Sequence, residues 1–199
     1  MNRLRFGAII LAAGLSSRMV ENKVLLPWRD GTPIVRHVAS KFVGACPGNV
    51  LVVTGRDAAL VRNAVNDLNV ICAHNPDFAT GEILSSVKVG LRALPDGLVA
   101  SFIQPADMPC VPAEVIAQLA AAHELGWNVA PRHDGMRGHP VLLDRAYWRA
   151  MLDLPAEAKP RDVIEAARKR LCLLDVADEG VLLDIDTREA YERVMERGL

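Results

Sequence analysis

The sequence predicts a layered α/β fold, and three observations predict it. Short apolar runs recur along the chain, each the length of a buried strand. Amphipathic helical patterns separate them. Turn signals, often proline or glycine, punctuate the joints. The strand candidates, in order, are Phe6 to Leu11, Val50 to Thr54, Val70 to Ala73, Val99 to Ile103, Asn128 to Ala130 and Val141 to Leu143. A late pair follows at Leu171 to Val176 and Val181 to Ile185. Thr32-Pro33 reads as the N-cap and first turn of a helix whose apolar face is Ile34, Val35, Val38, Phe42 and Val43. Asp57 caps a second pattern carrying Leu60, Val61, Ala64, Val65 and Leu68. Pro112 opens a third, Pro160 opens one running to Leu171, and Thr187 starts the last. Those apolar faces read as packing surface. The loops fall at Ala12 to Thr32, Pro131 to His139 and Leu154 to Lys159. The first is long for a compact domain, and long loops often carry function.

Bulk properties narrow the classes. With 199 residues and 51% hydrophobic content, the chain suits one domain, residues 1–199, with a sizeable core. A formal net charge of −1 argues against a general nucleic-acid binder, which normally presents a basic face. No run approaches ~18 consecutive apolar residues, so no membrane span is expected. The opening MNRLRFGAIILAAG is too short in its apolar part for a signal peptide and reads as a first strand. The four cysteines, Cys46, Cys72, Cys110 and Cys172, form no C-x-x-C pair and read as reduced thiols of a cytoplasmic protein. The five histidines have no H-x-x-x-H spacing, so no zinc site is expected.

The most informative stretch is Leu11 to Pro27, LAAGLSSRMVENKVLLP. Small residues at Ala12, Ala13 and Gly14 let backbone N–H groups approach phosphates closely, and Arg18 and Lys23 neutralise phosphate charge. The stretch leaves the carboxyl end of the first strand, where open α/β sheets bind ligands. It lacks the Gly-Lys-Ser/Thr ending of a Walker loop and contains no G-x-G-x-x-G. Asp107, just past the strand at Val99 to Ile103, projects to the same edge. A hard divalent cation prefers such carboxylate and phosphate oxygens. Asp107 is equally readable as a turn residue before Pro109. Asp184 and Asp186 alternate with apolar residues, so the strand reading puts both on one side; Asp186 reads as a metal ligand, a helix N-cap, or both.

The Leu11–Pro27 stretch resembles the signature of the MobA-like nucleotidyltransferases, LAAG-x-S-x-R-M-G-x-x-K-x-L-L-P, with the molybdenum cofactor cytidylyltransferases nearest in pattern. Leu11, Ala12, Ala13, Gly14, Ser16, Arg18, Met19, Lys23, Leu25, Leu26 and Pro27 stand at matching positions; Val20 stands where the pattern has glycine. Asp107-Met108-Pro109 is similar to the family's metal-binding Asp-x-Pro. Gly81, Ser85 and Ser86 resemble its Gly-x-x-x-Ser-Ser segment, and Gly138-His139-Pro140 its acceptor-side G-H-P. The family's Gly-Asp-x-Gly-Ala-Arg is replaced here by Ala156-Glu157-Ala158-Lys159-Pro160-Arg161.

The resemblance implies a Rossmann-like three-layer sandwich with a mostly parallel sheet and a Mg²⁺- or Mn²⁺-dependent transfer of a nucleotide. It places nucleotide contacts at Leu11, Ala12, Ala13, Gly14, Arg18, Lys23, Gly81 and Ser86. Catalysis falls to Arg18, Lys23 and Asp107, the metal to Asp107 and Asp186, and the acceptor to Gly138, His139 and Pro140. The implied reaction joins CMP from CTP to the phosphate of molybdenum-molybdopterin and releases pyrophosphate. GTP, a different phosphorylated acceptor such as a sugar or polyol phosphate or phosphocholine, and a non-catalytic protein delivering cofactor to a molybdoenzyme remain open alternatives. Ala12-Ala13, where guanylyl-transferring relatives tend to carry Gly-Gly, leans towards cytosine.

Overall fold

The computed structural model describes residues 5–15, 19, 21–80 and 82–197. Its centre is an eight-stranded mixed sheet in the order β3-β2-β1-β4-β7-β5-β6, with β8 paired to the other side of β5. The strands are β1 (Phe6–Ala12), β2 (Val50–Thr54), β3 (Val70–His74), β4 (Ala100–Pro105), β5 (Asn128–His133), β6 (Met136–Arg137), β7 (Val141–Asp144) and β8 (Leu171–Asp175). Pairs β1–β2, β1–β4, β2–β3 and β5–β8 are parallel, and β7 runs antiparallel between β4 and β5. The continuous apolar runs of β1 and β2 follow from this: parallel strands are buried on both faces. Alternate residues serve opposite layers. Ala8, Ile10, Val50 and Val52 enter one core, and Ile9, Leu51 and Val53 the other.

The helices are α1 (Ile34–Val43), α2 (Ala58–Ala64), α3 (Ile83–Ala93), α4 (Ala113–Ala121), α5 (Trp148–Asp153), α6 (Pro160–Ala166) and α7 (Arg188–Arg197). Apolar residues of α1, α2, α4 and α7 fill the first core, and those of α3, α5 and α6 the second, giving three layers. No helix among the described residues is long and apolar enough to cross a membrane.

Five local expectations are corrected. Val181 to Ile185 is not a strand: a 3₁₀ turn covers Glu179–Val181 and irregular chain follows. Its backbone is spent on loops, with the Val181 carbonyl accepting from His139 N and Ile185 N donating to the Asp107 carbonyl, both at 2.9 Å. The helix opened by Pro160 stops at Ala166, because Arg168–Arg170 form a 3₁₀ turn and β8 begins at Leu171. Asp57 precedes α2 with φ 55° and no side-chain cap; its carboxylate instead accepts from Asn22 Nδ2 at 3.3 Å. Asp186 does not cap α7, since Thr187 Oγ1 accepts from Ala190 N at 3.2 Å. The 131–139 loop also contains β6, which pairs back on β5.

One packing contact makes stability depend on pH. The His37 ring of α1 lies 5.5 Å from the Trp28 ring, centroid to centroid. Burial, then the nearby Lys41 charge, pushes its pKa down to about 4; the Pro109 carbonyl and Asp30 oppose this and Arg29 assists it. Between about pH 4 and 6.5 the unfolded chain therefore binds the proton more readily, so stability falls as pH drops through that window. His37→Gln, neutral at every pH, is expected to lose about 1–2 kcal/mol less than the parent between pH 7 and pH 4.5. Urea unfolding at the two pH values checks this, and equal losses would refute it.

Candidate active site

The site gathers at the carboxyl ends of β1 and β4, which pair in register from Phe6↔Ala100 to Leu11↔Pro105. β1 lies between β2 and β4, so connections leave to opposite sides and a crevice opens there. Ala12 and Ala13 are buried at the strand end, while Gly14 is exposed. A Cβ on Gly14 would meet no heavy atom within 4 Å, so backbone faces open space at this point. Arg18 and Gly81, together with Ser16 and Val20, lie outside the described residues.

Lys23 begins a 3₁₀ turn, Lys23–Leu25, whose cap is Asn22: its Oδ1 accepts from Val24 N at 3.4 Å. The Lys23 ammonium bridges two carboxylates, 2.6 Å from Asp107 Oδ2 and 2.7 Å from Asp186 Oδ1. Burial alone would lower its pKa, but the two aspartates outweigh it and raise it above the usual lysine value. Asp184 is exposed nearby. Partial desolvation first, then the charges of Asp186 and Asp107, raise its carboxyl above the ordinary range.

Backbone contacts fix these groups. Ala106 N donates to the Leu11 carbonyl at 3.0 Å, which places Asp107 beside the β1 loop. The buried Gln104 amide donates to the Pro105 and Met108 carbonyls at 2.8 and 3.4 Å. On α7, Tyr191 donates to the Pro27 carbonyl at 2.5 Å and Arg29 donates to the Val194 carbonyl at 3.1 Å. These tie the Lys23 loop to the segment bearing Asp186.

His139 stands on the loop that leads into β7. Burial pushes its ring pKa below the ordinary value, partly offset by the Ile103 carbonyl and the Asp107 charge. Gly138 N donates to the Pro131 carbonyl at 2.9 Å, and Pro140 is buried. The region around Ser86 is organised by Asn75, which is fully buried. Asn75 Nδ2 donates to Ser85 Oγ at 2.8 Å and Ser86 Oγ at 3.0 Å, and its Oδ1 accepts from Asp77 N at 3.0 Å.

Sequence reasoning gave Asn75, Asn22 and Arg56 no role. Asn75 opens the very segment that was singled out, and an asparagine directly before Pro-Asp was an available turn signal. Arg56 gave no signal, yet its Nη1 donates to the Leu15 carbonyl at 2.8 Å. Next to it, a Cβ on Gly55 would stand 2.5 Å from the Ala13 carbonyl oxygen, so glycine alone permits this approach of β2's end to the loop.

The donor chemistry at Lys23 fits a divalent cation. Asp107 and Asp186 present hard oxygens around one positive centre, and Mg²⁺ is commonly held by one or two carboxylates plus substrate phosphates. Among the described residues no group of three or more His, Cys, Asp or Glu forms a closed metal cage.

An α/β sheet that brings a lysine and two aspartates to its switch point, beside a small-residue loop, defines a protein built to handle phosphorylated ligands. The family model described as MobA-like NTP transferase domain matches residues 8–171, and the chain belongs to this family of nucleotidyltransferases. Molybdenum cofactor cytidylyltransferase of Escherichia coli (strain K12) is 30% identical over 189 residues, covering 95% of each chain. Molybdenum cofactor guanylyltransferase of Burkholderia lata is 32% identical over 115 residues, 57% of this chain and 54% of that one. Rv0371c from Mycobacterium tuberculosis H37Rv superposes with a TM-score of 0.82 at 21% identity, over 97% of this chain and 98% of that one. A second structure of that protein, in complex with manganese, gives a TM-score of 0.77 at 20% identity, over 96% of this chain and 98% of that one.

Proposed function

We propose that this protein transfers CMP from CTP to the phosphate of molybdenum-molybdopterin and releases pyrophosphate. The observation that carries the reading is the Lys23 ammonium held between Asp107 and Asp186 at the end of β1. The full-length similarity to a molybdenum cofactor cytidylyltransferase supports the choice of nucleotide and acceptor.

In this reading the acceptor phosphate oxygen attacks the α-phosphorus in line, and the bond to the β-phosphate oxygen breaks. The acceptor is already ionised at neutral pH, so no side chain must remove a proton. Asp107 and Asp186 would hold Mg²⁺ or Mn²⁺, which would supply charge neutralisation at the reacting phosphates. Lys23, on a flexible four-carbon stem, turns from the carboxylates to the β- and γ-phosphates and stabilises the departing pyrophosphate. Arg18 shares that charge. Ala12, Ala13 and Gly14 bring backbone to the nucleotide, and Ser86, with its hydroxyl bonded to Asn75, and Gly81 border it. Gly138, His139 and Pro140 stand on the acceptor side. Positioning and charge neutralisation supply most of the rate.

The test is pyrophosphate release with each of the four nucleoside triphosphates, Mg²⁺ present, with and without molybdenum-loaded molybdopterin. Acceptor-dependent release with CTP alone is expected. Release with GTP alone would overturn the base assignment. No release with any nucleotide, from folded protein, would overturn the reaction.

A further inference from the structure

Beyond His139 the protein opens a cavity of about 360 Å³. Its floor is apolar: Ile103, Val141, Met151 and Ile164 are all buried. Ile83 stands at the mouth, 49% exposed, although it is a large aliphatic residue. Three cations line the cavity, Arg137, Lys159 and Arg161, against one acid, Glu82. Arg137 is already engaged by Glu165 at 2.9 Å. Among the described residues no ion pair engages the Lys159 ammonium or the Arg161 guanidinium. The wall also contains His139, whose Nδ1 is buried without a hydrogen-bond partner.

A dry floor with two uncommitted cations above it is complementary to a flat, weakly polar body carrying an oxyanion. Arg161 offers a planar fork suited to such an anion and Lys159 a mobile point charge. His139 brings an imidazole to the inner wall, where the Asp107 charge is felt. The size is at the lower end of small-molecule sites, about 300–1,000 Å³, which suits a fused ring with a short phosphorylated chain and excludes a macromolecular segment.

We propose that this cavity is the acceptor site, that Ile83, Ile103 and Met151 hold a fused heteroaromatic ring, and that Lys159 and Arg161 take the acceptor's phosphomonoester. The proposal rests on the nucleotidyltransferase reading above and adds the residues that select the acceptor. Lys159 and Arg161 are exposed, so their replacement leaves the core intact.

The test measures binding, without nucleotide, of three probes: neopterin monophosphate, neopterin and inorganic phosphate. The phosphorylated pterin is expected to bind the parent about 10-fold more tightly than neopterin. Lys159→Met with Arg161→Met is expected to abolish that preference and leave ring binding unchanged. Arg149→Met, on the far-exposed face of α5, is the charge control and should keep the preference. Equal binding of the two pterins to the parent, no binding of either, or a preference that survives the double variant would overturn the proposal. So would inorganic phosphate binding as tightly as the phosphorylated pterin, which would mark an ion site only. If the preference is present while CTP-dependent pyrophosphate release is absent, the cytidylyl reaction fails and the acceptor site stands.

Discussion

Replacing Lys23 by methionine is expected to lower pyrophosphate release by about 10³-fold while the protein still folds. Methionine keeps the length and much of the apolar stem but removes the charge. The ammonium now neutralises Asp107 at 2.6 Å and Asp186 at 2.7 Å, and in the proposed reaction it meets charge that grows on the leaving pyrophosphate. Removing a group that acts on developing charge in a partly dry site typically forfeits about 10²–10³ in turnover, and here the same group also balances two carboxylates. Lys23→Arg keeps the charge, but a planar fork does not reproduce a point charge between two carboxylates, so recovery of under about a tenth of parental turnover is expected. The pH response follows from the direction of the shift. The folded-state pKa of Lys23 is raised, so its ion pairs are intact below the unfolded value of about 10.5 and are lost only above the folded one. Turnover limited by Lys23 should therefore show no alkaline limb below about pH 9. Steady-state rates with thermal melts on the same samples check both statements. A turnover within threefold of the parent for Lys23→Met would remove the lysine from the chemistry.

The left half of the sheet was readable because it obeys a simple rule. β2 runs Val50–Thr54 as expected, since a short run that is β-branched at every position but Leu51 and flanked by turn residues has few alternatives to a buried parallel strand. The right half was harder. Val181 to Ile185 has the apolar content of a strand, yet its backbone groups bond to the 107 and 139 loops, a long-range choice that no local pattern encodes. Helix α5 was missed for the opposite reason: Trp148 and Met151 are its buried residues, too few for a helical period to emerge in six residues. At the site, Lys23, Asp107 and Asp186 were singled out from strand ends and from resemblance. Their convergence on one ammonium was not visible, and the expected reason for Asp186, a shared strand face with Asp184, was wrong. The loop contacts achieve it instead, through Ile185 N on the Asp107 carbonyl and Tyr191 on the Pro27 carbonyl. Arg56 was silent because its partner, the Leu15 carbonyl, lies 41 residues away in sequence. Asn22 and Asn75 make local turn bonds to Val24 N and Asp77 N, but their bonds to Asp57 and Ser85, 35 and 10 residues away, leave no local pattern.

That same junction of loops predicts the second large effect, for Gly138→Ala. A Cβ at Gly138 would collide with the Val181 carbonyl oxygen and stand 2.9 Å from both the Val181 carbonyl carbon and its Cβ. All three belong to or sit on backbone, so no flexible side chain can swing aside. Two hydrogen bonds would resist the shift, Gly138 N to the Pro131 carbonyl and His139 N to the Val181 carbonyl, both 2.9 Å. Overpacking of this kind costs typically 1–3 kcal/mol, and a rigid backbone neighbour places the expected loss near the top of that range, about 3 kcal/mol. The consequence for function is specific. His139 follows directly, and the Val181 segment leads within five residues to Asp186, so relief of the clash must move the acceptor wall, the metal-binding carboxylate, or both. The Michaelis constant for the acceptor is therefore expected to rise more than that for CTP, whose loop at Ala12 to Gly14 lies on another strand end. Gly44→Ala is the matched control: it sits at the end of α1 with φ −71°, its Cβ would meet nothing within 4 Å, and its stability should stay within about 0.5 kcal/mol of the parent or rise. Chemical unfolding of the two variants, with acceptor and CTP titrations of Gly138→Ala, separates the outcomes. If Gly138→Ala melts with the parent and both constants are unchanged, the 138–181 contact does not couple the acceptor wall to Asp186.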